Sequence, residues 1–166
     1  DIFGVGTRLV TGAPDAALDG VYKLAVFNGQ PRMKLSDNVT KTTLPGRKQV
    51  ARFRDEKGCF VADAVHLIEE DRPQEMFHPF EPEKSLNLSR YQDEELLVKV
   101  MEKGQRLEVE NNVARIATYC RERLSPLPPE HKRFEYPHIY KVGLSPKLLA
   151  RRNSLIRRYR RNFEES

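Results

Sequence analysis

A change of period near residue 89 is the feature that most constrains what this chain can fold into. Ahead of it, β-forming residues come in short runs separated by turn residues. Residues 21–27 form such a run and end on Asn28-Gly29, a strong hairpin signal, with 31–35 as the return strand. A second hairpin is expected to pair 49–54 with 59–67 across Asp55-Glu56-Lys57-Gly58, and a further strand falls near 75–80, limited by Pro73, Pro79 and Pro82. The polar loop between the hairpins holds a turn at Leu44-Pro45-Gly46. Beyond the change, apolar residues recur at helical spacing. Ser89-Arg90-Tyr91-Gln92 reads as a capping box opening a helix with the stripe Leu96, Leu97, Val100, Met101 and a C-terminal cap at Gly104. A second stripe is Val113, Ile116, Ala117, Cys120 and Leu124, ended by Pro126, Pro128 and Pro129. Residues 136–144 read as extended, and Ser145-Pro146 supplies an N-cap and a first-turn proline for a last helix running toward Phe163. Both stripes are expected to be core. Strands gathered ahead of helices, rather than alternating with them, predict an α+β fold.

Size and charge narrow the function classes. The 166 residues suffice for one compact domain or for part of a larger protein. Asp1-Ile2-Phe3 reads as a strand already under way, so a piece of a longer chain is expected. No apolar run approaches the ~20 residues needed to cross a bilayer, and no secretory leader is visible, so a cytoplasmic protein without a membrane partner is expected. Cys59 and Cys120 form no CxxC pair and are expected to be buried thiols. His66, His78, His131 and His138 do not cluster at metal-ligand spacing, and no metal site is predicted. The net charge of +5 is concentrated late, in Arg151, Arg152, Arg157, Arg158, Arg160 and Arg161. Such a run can bind nucleic acid, but the plainer reading is the solvated face of a terminal helix. No aromatic RNA-binding motif accompanies it.

The residues that could carry chemistry lie early. In Gly4-Val5-Gly6-Thr7 the glycines let backbone approach a ligand, successive N–H groups can form an anion nest, and Thr7 adds a hydroxyl. Leu9 at the sixth position rules out the dinucleotide GxGxxG fingerprint. Lys23 and Lys34 fall in strand-like runs, and Arg47 and Lys48 follow in the loop. Cations repeated beside a Gly turn suit a polyphosphate. Edge-strand lysines that prevent aggregation are the competing reading, and residue chemistry alone leaves both open. Asp63 and His66, three apart on a strand, face opposite sides and make no dyad. Glu69-Glu70-Asp71 reads as a solvated acidic turn. No catalytic residue is assigned.

Taken in order, Phe3-Gly4-Val5-Gly6-Thr7, Gly20-Val21-Tyr22-Lys23-Leu24, Pro31-Arg32-Met33-Lys34-Leu35-Ser36 and the Lys41-to-Gln49 run with Leu44-Pro45-Gly46-Arg47-Lys48 resemble the nicotinate phosphoribosyltransferase family. The resemblance continues less diagnostically through Gly104-Gln105 and Arg123-Leu124-Ser125 to the Tyr140-to-Ser145 segment. It implies a type II phosphoribosyltransferase with an N-terminal domain, an irregular α/β barrel and a C-terminal extension, working as a homodimer with shared active sites. It implies formation of nicotinate mononucleotide and pyrophosphate from nicotinate and phosphoribosyl pyrophosphate in NAD biosynthesis. ATP hydrolysis would be coupled through a phosphorylated histidine, and Mg2+ would assist the pyrophosphate. On this resemblance, residues 1–20 end the barrel, 21–80 are a β-hairpin region and 81–166 a helical C-terminal extension. The phosphoribosyl pyrophosphate contacts fall on Gly4, Gly6, Thr7, Lys23 and Lys34, with Arg47 and Lys48 added by charge and position. The phosphohistidine and the nicotinate pocket have no counterpart among these residues, so the chain alone is expected to be inactive. The alternative kept open is a stand-alone structural domain, or a binding module that uses the basic tail.

Overall fold

The computed structural model describes residues 6, 11–12, 22–36 and 41–164, with side chains as far as residue 161. The turn at Gly4-Val5-Gly6-Thr7 lies outside the described residues except for Gly6. Asn28 and Gly29 take positive φ values of 48° and 71°, the left-handed pair that a two-residue hairpin turn requires. They join β1 (Val26–Phe27) to β2 (Gln30–Pro31). This ladder is much shorter than the predicted runs, so Lys23 and Lys34 are exposed outside it rather than set within strands.

The centre of the molecule is the second hairpin, β3 (Lys48–Arg54) and β4 (Phe60–Leu67). It is antiparallel from Lys48↔Leu67 to Arg54↔Phe60, with one register slip between Phe53 and Arg54. Asp55 closes it, its carboxylate accepting the amides of Lys57 and Cys59 at 2.9 and 2.8 Å. There follow β5 (Glu75–Phe77), β6 (Ser85–Asn87), β7 (Gln92–Glu95), a small ladder of β8 (Met101–Glu102) with β9 (Gln105–Arg106), α1 (Val113–Leu124), a 3-10 turn at Pro129–Lys132, β10 (Val142–Leu144) and α2 (Pro146–Glu164). The six-stranded sheet has the order β6-β5-β10-β4-β3-β7. β10 enters between β5 and β4, antiparallel to the first and parallel to the second.

Residues opposite one another across an antiparallel pair share a face. Ala51, Phe53, Ala62 and Ala64 therefore line one face, where Met76 and Leu88 close a core. The other face carries Leu67 and Leu144 against Leu148 of α2. Burying each such leucine contributes about 1.5–3 kcal/mol. The α2 N-terminus is fixed by Ser145, which is fully buried. Its Oγ accepts the Leu148 amide at 3.1 Å and donates to Glu70 Oε1 at 2.9 Å, the same oxygen that receives the Leu67 amide at 3.0 Å. Glu70 is thus a tie between β4 and α2, not part of a solvated acidic turn.

Three other expectations change. Residues 89–104 do not form a helix: Gln92–Glu95 pairs with the open edge of β3, and Lys103 and Gly104 (φ 49° and 79°) make a hairpin turn. The free hydrogen-bonding edge of β3 outweighs the local capping pattern, and a glycine at positive φ serves a hairpin as well as a helix end. The stripe of α1 does form a helix, capped by Asn112 accepting the Arg115 amide at 3.2 Å, but none of it is buried in this chain. Cys59 and Cys120 are free thiols, one half-buried and one exposed, rather than core residues.

Ser145→Ala removes a helix cap and one bond to Glu70 together. Equilibrium urea unfolding should show a loss of about 1–2 kcal/mol.

Candidate functional site

The loop before β3 is organised from inside. Gly46 is buried with φ 85°, and a Cβ there would lie 2.9 Å from Leu67 Cδ2 and 3.1 Å from Arg151 Nη1. Only glycine meets both conditions. The Gly46 amide donates to Ala25 O at 2.9 Å, and the Arg32 amide donates to the same oxygen at 2.8 Å. Lys34 and Thr43 exchange two further bonds, Lys34 N to Thr43 Oγ1 at 2.8 Å and Thr43 N to Lys34 O at 3.2 Å. The first hairpin is thereby tied beside the Gly46 turn, with the Lys34 backbone against Thr43.

Lys48 and Arg47 then take different parts. Lys48 turns inward and its ammonium donates to the carbonyls of Leu44 and Gly46, so burial pushes its pKa down. It holds the turn together. The Arg47 side chain is exposed and unpaired among the described residues, as are Lys23, Arg32, Lys34 and Lys41. Gly6 is exposed with open space around it; Gly4 and Thr7 lie outside the described residues. What remains on the surface is a cationic patch around a rigid turn. Among the described residues, the acid beside this turn is Glu69, held by Arg151 at 2.7 Å and kept below the usual carboxylate range chiefly by that bond. Such a patch can receive an anion by guanidinium and ammonium donors. Sequence reading had no signal for Arg151, which reaches the turn from a helix some hundred residues later.

A second charged cluster is internally paired. Arg52 and Asp63 lie opposite one another on β3 and β4 and pair through two bonds of 2.9 and 2.7 Å. The Tyr140 hydroxyl donates to the same carboxylate at 3.0 Å, and burial first, then Asp63, pushes the phenol pKa far up. Arg52 and Arg54 lie over the Phe60 ring at 4.4 and 4.6 Å. Glu94 on β7 joins Arg54 at 2.6 Å to Arg123 at the end of α1. The Arg123 bond, with Arg54 behind it, lowers its carboxyl to about 2. Asp63 and His66 make no dyad: Asp63 serves Arg52, while His66 Nδ1 sits 3.0 Å from Leu67 O on the opposite face. Among the described residues no group of three or more His, Cys, Asp or Glu could hold a metal ion, and no helix is long and apolar enough to cross a membrane.

The fold and the turn define a mixed α+β domain whose surface feature is a cationic Gly turn set at the start of its central hairpin. The family model of the nicotinate phosphoribosyltransferase C-terminal domain matches residues 47–152, beginning at Arg47 of that turn. The chain belongs to this family. It is 36% identical over 159 residues to human nicotinate phosphoribosyltransferase, covering 93% of this chain and 30% of that protein. With the enzyme of Bacillus subtilis the figures are 30% over 174 residues, 99% and 36%. The crystal structure of human nicotinic acid phosphoribosyltransferase superimposes with a TM-score of 0.65 at 34% identity, covering 84% of this chain and 27% of that one. The chain thus spans 30% to 36% of the length of these two curated relatives.

Because Glu94 is held below its ordinary pKa, its pairing stabilises the fold fully above pH 4.5 and is lost as the pH falls toward about 2. Glu94→Gln should lower the urea midpoint at pH 7, and the gap to the unsubstituted chain should close between pH 4.5 and about 2.

Proposed function

We propose that this chain is the C-terminal part of a nicotinate phosphoribosyltransferase, which joins nicotinate to phosphoribosyl pyrophosphate with ATP coupling and releases pyrophosphate on the route to NAD. The observation that carries the reading is the family match over 47–152, opening at the Gly46 turn, where Arg47 is exposed and unpaired among the described residues. In this reading Arg47, with Lys34 and Lys23, faces the phosphates of the donor, and Lys48 holds the turn that presents Arg47. Gly4, Gly6 and Thr7 form the adjoining phosphate turn at the edge of an α/β barrel in 1–20, followed by the hairpin region over 21–80 and an extension over 81–166. Charge that builds on the leaving pyrophosphate is met by preorganised donors, the usual basis of such catalysis. The described residues offer no carboxylate set for Mg2+ at this turn, where Glu69 is already paired with Arg151. ATP coupling belongs to a histidine beyond those seen here. A homodimer in the cytoplasm completes the reading.

The test uses the full-length enzyme. Thr7→Ala and Arg47→Ala should each raise the apparent KM for phosphoribosyl pyrophosphate more than that for nicotinate, by about ten-fold for a lost charged contact of ~1.4 kcal/mol. Equal effects on both substrates, or none, would remove these residues from the phosphate wall.

A second reading has one observation in its favour. Arg157, Arg158, Arg160 and Arg161 of α2 are exposed and unpaired among the described residues. If they form a nucleic-acid surface, affinity of the chain for single-stranded DNA should fall steeply between 50 and 200 mM salt, as counterion release demands. Absence of binding at low salt would reject it.

A further inference from the structure

Arg151 lies on α2, about a hundred residues from the Gly46 turn in sequence, yet its guanidinium meets that turn directly. Nη1 stands 3.1 Å from the place a Gly46 Cβ would occupy and 2.7 Å from Glu69 Oε1. Glu69 is brought there by the β3–β4 register. Lys48 pairs with Leu67, and the Ile68 amide donates to Arg47 O at 3.0 Å, so the next residue along, Glu69, comes level with Gly46. The same carboxylate is within electrostatic reach of Arg47, which contributes to holding it ionised. Glu69 therefore has two candidate cations, and the structure gives it to Arg151. Its side chain is half exposed, free to swing if that partner is lost.

We propose that Arg151 is a positioning residue for the Arg47 turn: by occupying the Glu69 carboxylate it keeps the Arg47 guanidinium unpaired and open to a phosphate-bearing anion. This rests on the reading that the turn faces the phosphates of the donor. A lysine or arginine on α2 would do little here by charge alone; what matters is that the local acid is already satisfied. The C-terminal helix, which also packs Leu148 in the cluster that receives Leu44 of this loop, thus sets the state of Arg47.

The test is a titration of the ¹⁵N-labelled 166-residue chain with inorganic pyrophosphate, read from the Gly46 and Arg47 amides and the Arg47 Nε resonance. Arg47→Ala should abolish the shifts; if binding persists unchanged, the reading of the turn fails, whatever Arg151 does. With that contact established, Arg151→Gln should weaken binding about two- to five-fold, the size of a partly exposed ion pair, and move the Arg47 Nε signal in the anion-free chain as Glu69 captures it. Arg151→Gln with Glu69→Gln should restore binding to the unsubstituted level. Arg158→Gln, the same charge change elsewhere on the helix, should have no effect. If the double variant stays weak, Arg151 touches the anion itself. If Arg158→Gln is as harmful as Arg151→Gln, only net charge is at work. Either result overturns the proposal.

Discussion

The structure depends on the register between β3 and β4. That pairing, from Lys48↔Leu67 to Arg54↔Phe60, fixes which residues face the core and which meet in pairs. It sets Ala51 against Ala64 and Phe53 against Ala62, small residues opposite one another or beneath one ring, so that Met76 and Leu88 can close over them. It sets Arg52 opposite Asp63 on the other face. A slip of one residue would exchange the faces, exposing Phe53 and burying the arginines. Three elements attach to this hairpin directly: β7 to the outer edge of β3, β10 to the outer edge of β4, and α2 over the face that carries Leu67.

The same register ends at the loop that bears the candidate site. Lys48 is the first residue of β3 and seals the turn with its own ammonium; Arg47, one residue earlier, is left outside. A rigid sheet end thus presents an exposed guanidinium with little freedom in its backbone. Two cations adjacent in sequence differ completely in role because a strand sends neighbouring side chains to opposite sides. Charge and position alone could not separate them. Arg47 and Lys48 looked equivalent in the sequence, while the carbonyls of Leu44 and Gly46 decide between them.

The part of the chain between Leu97 and Ile139 contrasts with this centre. Val98, Val113, Tyr119, Phe134, Tyr136 and Ile139 are all more than half exposed. The helix α1 is joined to the sheet at its last turn, through Arg123 to Glu94 and through the Phe60 amide to Pro126 O at 3.0 Å. The amphipathic stripe read from 113–124 is real as a helical pattern, but in this chain it faces no core. Hydrophobic spacing specifies which side of a helix is to be covered; it does not specify what covers it.

What the sequence determined by itself is local. Asn28-Gly29, Asp55 to Gly58 and Ser145-Pro146 each carry their geometry in their own backbone preferences and nearest hydrogen bonds, and each forms where it was read. The ordered motifs of the first fifty residues carried the family resemblance as sequence alone. Tertiary structure decided the rest. The run at 89–104 had capping and stripe signals for a helix and became an edge strand and a hairpin, because β3 offered an unpaired ladder and Gln92–Glu95 could complete it with Glu94 beside Arg54. Glu70 and Arg151 read as surface charges and instead tie α2 to the end of β4 and to the Gly46 turn. The last two depend on partners 75 or more residues away, and no local preference encodes which distant group arrives.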